Sequence, residues 1–231
     1  IMPNEDRDAA NIVEQQMVRD GVKVLCCGKQ LQVGKTEGGT RLMVGSHGQQ
    51  YDVTVDAILV GVGRTPNVEG IGLEVAGVDY DKNGITVNAR LQTSNPKIFA
   101  AGDVCSRYKF THAADAMAQI VIQNALFPHP FGLGYANVDA LVMPWCTFTE
   151  PEIAHVGMYE KEAKEKGIDV ETYTYKLDEV DRAILDGEDE GFARVHIEKG
   201  TDTILGATIV ASHAGDMISE FSVAMKAGGG A

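Results

Sequence analysis

Residues 57–62 read "AILVGV", apolar with almost no alternation, inside the longer run "DVTVDAILVGVG". A strand that is apolar on both sides must be buried on both faces, and such strands belong to parallel sheets covered by helices. A second run of this kind, "KIFAAGD" at 97–103, leads into "THAADAMAQIVIQNAL". That segment has the helical period, with Ala113, Met117, Ile120, Val121 and Leu126 on its apolar side. A strand, an acid at its carboxyl end and a following helix form the corner where open α/β sheets bind ligands.

The flanks carry different patterns. "DRDAANIVEQQMVRDG" predicts an amphipathic helix, with Ala9, Ile12, Val13 and Met17 inward and Gly21 just past its end. Between Gly21 and Gly48 the short runs "VKVLCC", "QLQVG" and "TRLMVG" read as an antiparallel meander, and Asn83 with Gly84 reads as a hairpin-type turn. "FPHPFGLGYAN" at 127–137 is rich in Pro and Gly and marks a domain boundary. Beyond it come strand "WCTFT", helix "YEKEAKEKG", strands "VETYTYKL", "GFARVHIE" and "TILGATIVA", and helix "GDMISEFSVAMKA", an α+β plan with an antiparallel sheet. Glu160 with Lys164 and Glu162 with Lys166 are expected to pair one turn apart on the first of these helices.

Composition narrows the function. A formal charge of −13 and a pI near 4.8 exclude a binder of nucleic acid or of anionic membrane, which needs clustered Lys and Arg. The four cysteines, Cys26, Cys27, Cys105 and Cys146, show neither CxxC nor metal-ligand spacing. No metal site is expected, the thiols are read as buried or idle, and the compartment is read as reducing and cytoplasmic. The chain opens on Ile1 and closes on "AMKAGGGA", so it is expected to be a piece of a longer protein.

Asp103 is the residue on which function turns. An acid after "AAG" is most often a turn former or helix cap. The alternative is a carboxylate that accepts hydrogen bonds from a ligand hydroxyl at the strand's carboxyl end. Local composition leaves both open.

Three motifs carry a resemblance. "TSNPKIFAAGDV" resembles the second flavin-binding motif of the pyridine nucleotide-disulfide oxidoreductases, the group of dihydrolipoamide dehydrogenase, glutathione reductase and mercuric reductase. "DAILVGVGRTPN" resembles the motif that links the family's nicotinamide and flavin domains, and "WCTFTEPEIAHVG" the opening of its dimerisation domain. The order is the family's, and "FTHAADAMAQIVIQNALF" and "DRAILDGEDEGFARV" lean towards the mercuric-reductase branch.

The resemblance implies a fold class of α/β, parts of two doubly wound FAD- and NAD(P)-binding domains, followed by an α+β dimerisation domain. The implied boundaries are 1–65, 66–138 and 139–231. Asp103 matches the acid that hydrogen-bonds the ribityl chain of FAD, and Gly102 leaves room for that cofactor. Phe110, Thr111, His112 and Ala113 match the start of the helix facing the flavin's pyrimidine end, where a helix N-terminus favours the anion of the reduced ring. Gly63 matches a glycine beside the nicotinamide of NAD(P)H, or merely turns the chain before Arg64, which is read as an interdomain ion-pairing residue rather than a ligand. The parent is implied to be a homodimer passing electrons from NAD(P)H through FAD to a disulfide-type or metal-ion acceptor.

The departures are equally specific. The redox-active CxxxxC pair, the first GxGxxG fingerprint and the HPxxxE acid/base stretch are all absent from these residues. No catalytic residue is therefore assigned, and the segment alone is expected to be inactive. The competing reading is a noncatalytic nucleotide-binding or dimerisation module. New chemistry at Glu150 and Glu152 is disfavoured, because "TEPE" reads as a turn fixed by Pro151.

Overall fold

The first apolar stripe closes as expected. In a computed structural model that describes residues 1–228 and Gly230, helix α1 (Arg7–Arg19) buries Ala9, Ala10 and Val13. Arg19 lies in its last turn, where a cation complements the helix dipole, and Gly21 follows at φ 87°, a left-handed conformation glycine adopts freely. A meander comes next: β1 (Lys29–Thr36), β2 (Gly39–Ser46) and β3 (Gln49–Val55), paired antiparallel in that order. Strand β1 is exposed along its whole length.

The chain divides into two compact units, one of Ile1–Gly61 with Pro144–Ala231, the other of Val62–Met143. The second unit holds a single turn of helix, α2 (Leu73–Ala76), the two-residue strands β4 (Tyr80–Asp81) and β5 (Gly84–Ile85), and the long helix α3 (Thr111–Leu126). One of its cores gathers Val68, Leu73 and Val78, and another Leu91, Met117 and Ile120. The hairpin turns at Lys82 and Asn83, one residue earlier than predicted. Asp81 sets this register, because its carboxylate accepts the Asn83 N–H at 2.7 Å.

Three expectations fail in or beside this unit. Residues 57–62 form no strand, and Leu59 and Val62 are 97% and 91% exposed. Residues 97–103 contribute only a bridge between Phe99 and Gln92. A two-sided apolar strand is held by neighbours on both edges; among the described residues 57–62 join no strand ladder, and 97–103 meet only the segment around Leu91–Thr93 on one side. On α3, Leu126 is exposed and Asn124 takes the inward place. Asn124 donates to the carbonyls of Arg90 and Ala136 and accepts the Ala136 N–H, satisfying loop backbone that has no sheet partner.

The chain then returns to the first unit through β6 (Pro144–Thr147), β7 (Glu152–Gly157), α4 (Glu160–Glu165), β8 (Val170–Lys176), α5 (Asp181–Asp186), β9 (Phe192–Glu198), β10 (Ile204–Ala211) and α6 (Ala214–Ala227). The strands form one antiparallel sheet in the order β6-β7-β10-β9-β8. Strand β10 is central and every one of its residues is buried, so "ILGATIVA" needs no alternation. Ala9 and Val13 of α1 pack with Ile153, Phe192 and Val210. The expected strands and helices of this segment are present, together with β7 and α5, which the sequence patterns do not single out. On α4, Lys164 pairs with Glu160 at 2.6 Å, whereas Glu162 accepts the Tyr159 N–H at 3.2 Å and so caps the helix. No helix among the described residues is long and apolar enough to cross a membrane.

Candidate functional site

Gly102 fixes the geometry of the predicted corner. It opens a single 3₁₀ turn, Gly102–Val104, at φ 78°, and its N–H points to the sulfur of Met117 at 3.4 Å. A Cβ at this position would lie 3.0 Å from the Cβ of Ala114, so the turn sits directly on the first turns of α3. Only glycine meets both the conformation and the contact.

Docking the turn in this way leaves the Asp103 side chain exposed beside the helix start. Its carboxylate lies 3.6 Å from the Arg64 guanidinium, which also donates to the Lys109 carbonyl at 2.8 Å. Lys109 in turn donates through Nζ to the carbonyls of Asp103 at 2.8 Å and Ser106 at 3.2 Å. Arg64 thus pairs with Asp103 inside the compact unit Val62–Met143, whereas the expectation is an ion pair between domains. Both partners are about half exposed or more, so the pair adds little to the stability of the fold.

Helix α3 begins after Phe110, which has no side-chain acceptor to cap it. The first N–H groups of a helix have no intrahelical partner and carry the positive end of its dipole. Thr111 and His112 are exposed there, Ala113 is buried, and the Phe110 and His112 rings stack with centroids 5.4 Å apart. The structure therefore gathers Gly102, Asp103 and Phe110 to Ala113 into one corner. Gly63 precedes Arg64 at φ 105°; a Cβ there would meet no atom within 4 Å, so its backbone conformation alone serves the bend before Arg64. An exposed carboxylate beside an uncapped helix N-terminus can receive a hydroxyl-bearing ligand at the acid and an anionic end at the N–H groups.

Six other reactive groups, His155, His196, Cys105, Cys146, Glu150 and Glu152, have structural surroundings. His155 is fully buried, its Nδ1 2.7 Å from the Thr208 hydroxyl and its Nε2 3.3 Å from the Gly157 carbonyl, and burial pushes its pKa down to about 3. His196 is also buried and lowered by burial. Half-buried Cys105 and Cys146 are pushed up to about 11 and about 12, chiefly by desolvation, which makes them poor nucleophiles. Glu150 accepts from the Ser212 hydroxyl, and Glu152 accepts the Gly215 N–H in the first turn of α6 at 2.8 Å, so both serve packing.

One cluster lies outside the sequence expectations. Cys27 is exposed and Cys26 half-buried, so of the reading of buried or idle thiols the first part does not hold, and their sulfurs meet the His47 imidazole with all three ligand atoms within 4.8 Å of one another. Spacing alone could not show this, because His47 arrives from the turn between β2 and β3.

A family model described as pyridine nucleotide-disulphide oxidoreductase matches residues 1–118, and one described as the dimerisation domain of the same group matches 143–231. A mercuric reductase of Staphylococcus aureus is 35% identical over 224 residues, covering 96% of this chain and 40% of that protein. A dihydrolipoyl dehydrogenase of Thermus scotoductus is 34% identical over 234 residues, covering 99% and 49%. Among solved structures, the HOCl-induced flavoprotein disulfide reductase RclA from Escherichia coli superposes with a TM-score of 0.82 at 27% identity, covering 99% of this chain and 51% of that one. LpdA from Mycobacterium tuberculosis gives 0.83 at 26% identity, covering 98% and 48%. The chain spans about half the length of the proteins it matches.

Proposed function

The chain belongs to the pyridine nucleotide-disulphide oxidoreductases, and from that premise we propose that it forms the flavin-facing corner and the dimerisation sheet of a longer FAD- and NAD(P)H-dependent oxidoreductase. The observation that carries this reading is the Gly102–Asp103 turn seated on the uncapped start of α3. In it Asp103 receives the ribityl hydroxyls of FAD, and the N–H groups at Thr111, His112 and Ala113 face the pyrimidine end of the ring. FAD supplies the electron-carrying chemistry; these residues orient it and favour the charge of its reduced form. Gly63 lies on the nicotinamide side.

The proposed division is 1–65 for part of the NAD(P)-binding domain, 66–138 for part of the FAD-binding domain and 139–231 for the dimerisation domain. The proposed electron acceptor is a disulfide or a metal ion, since relatives of both kinds match over nearly the whole chain. A homodimer and a cytoplasmic setting complete the reading. The segment alone is assigned no turnover, because it holds no CxxxxC pair.

The test is a visible spectrum of the purified chain with and without FAD, a size-exclusion profile and an NAD(P)H oxidation assay on the same sample. The expected result is a dimer with weak FAD uptake and no oxidation. Turnover by the isolated chain, or a monomer at every concentration, would overturn the reading.

A further inference from the structure

The corner formed by Cys26, Cys27 and His47 lies at the meander and shares no residue with the proposed flavin corner. Its assembly follows from register. Lys29 pairs with Gly45 at the head of β1, so the residues just before β1 lie beside the turn between β2 and β3, where His47 stands. A register shift between Lys29 and Gln32 bends the strand there.

Three backbone features aim the side chains. Cys27 has φ 57°, and a left-handed residue breaks the alternation that would send neighbouring side chains to opposite faces. His47 and Gly48 have φ 49° and 78°, the pattern of a type I′ hairpin turn. The buried Ser46 hydroxyl donates to the Cys26 carbonyl at 2.6 Å and ties the two loops together. Positive φ at Cys27, Gln30 and His47 concentrates uncommon conformations in one small corner, as constrained sites do.

The donor set is soft. Two sulfurs and one imidazole nitrogen suit a thiophilic d¹⁰ ion and exclude magnesium or calcium, which require oxygen. Size agrees as well. Bonds of about 2.3 Å to sulfur and about 2.1 Å to nitrogen at tetrahedral angles put the ligand atoms roughly 3.5–3.8 Å apart. Cys26 Sγ and His47 Nε2 are 3.0 Å apart and the whole triad lies within 4.8 Å, so closure needs side-chain adjustment of no more than about 1.3 Å for any pair.

We propose that Cys26, Cys27 and His47 form a binding site for one thiophilic metal ion of zinc's chemistry. Two S–H protons leave as two sulfur–metal bonds form, and His47 binds through the Nε2 lone pair with its proton on Nδ1. Three protein ligands at an exposed corner leave the fourth position to water or an exogenous thiol.

The experiment is equilibrium dialysis of the full chain against zinc(II) under a phosphine reductant, with cobalt(II) as the spectroscopic probe. The expected result is one ion per chain and a sulfur-to-cobalt charge-transfer band. A Cys26→Ser/Cys27→Ser variant loses both. His47→Asn, which tolerates the turn's conformation, weakens binding by about tenfold or more. A Cys105→Ala/Cys146→Ala variant retains the site, and circular dichroism verifies the fold of each variant. No uptake by the reduced chain above the double-serine background overturns the proposal, and so does uptake unchanged in His47→Asn.

Discussion

The Glu5 carboxylate accepts the Tyr159 hydroxyl at 2.6 Å, joining the residues before α1 to the start of α4 across most of the chain length. The same carboxylate accepts from Trp145 Nε1 at 3.1 Å and from the Thr147 hydroxyl at 3.3 Å. Burial and this acceptor hold the Tyr159 phenol well above its usual pKa. The entry to α1 is therefore tied to the sheet by polar contacts as well as by the apolar seam of Ala9 and Val13 against Ile153.

Removing the hydroxyl tests that tie. Tyr159→Phe keeps the ring against His155, with centroids 3.7 Å apart, and deletes one hydrogen bond to a charged acceptor. A loss of about 1.5–3 kcal/mol is expected in urea unfolding. Glu5→Ala deletes the acceptor shared by three donors and is expected to lose more. Equal losses for the two variants would show that only the phenol contact matters.

His155 predicts an acid-sensitive sheet. Its folded pKa, about 3, lies below the ordinary value of 6.5, so the unfolded chain takes up the proton first as pH falls. The stabilisation is fully present above pH 6.5 and is lost as pH drops towards 3, at a limiting slope of about 1.4 kcal/mol per pH unit. His196 and Asp8, both lowered, bend the curve in the same direction, and Asp6, raised by burial, bends it the other way. Unfolding midpoints at pH 7 and pH 4.5 should differ less in His155→Gln than in the parent chain.

Gly157 ends β7 at φ 84°, and a Cβ there would stand 2.3 Å from the Leu205 carbonyl oxygen and 2.8 Å from the Gly206 Cα. Gly157→Ala combines a left-handed non-glycine residue with a backbone clash, and a loss of about 2–5 kcal/mol is expected from thermal unfolding. Gly21→Ala, with φ 87° but open space around it, should lose only the conformational part.

Local patterns reveal most of the helices and antiparallel strands, and helix α1 is legible because it buries a periodic face. Strand β7 escapes because "EPE" reads as a turn, although "IAHV" after it is a buried run that the sequence displays. Residues 57–62 show the opposite failure. Their apolarity describes neighbours that the described residues do not provide, and no pattern inside the segment reveals that. The corner at Asp103 is legible as a strand, an acid and a helix in succession. The triad of Cys26, Cys27 and His47 is not, since a turn between strands brings it together and only register determines which residues meet.

Asp103 carries the flavin assignment. If its carboxylate receives the ribityl hydroxyls, then Asp103→Ala removes one or two hydrogen bonds to a charged acceptor without touching the packing, because the side chain is exposed. Quenching of FAD fluorescence by the chain should then require about 10- to 100-fold more protein. Arg64→Ala separates affinity from charge balance, since it frees the carboxylate from the guanidinium 3.6 Å away while leaving the acceptor in place. FAD affinity should hold or rise in that variant. Unchanged affinity in Asp103→Ala would return the residue to the role of a turn former and detach the flavin from this corner, whatever the family membership implies.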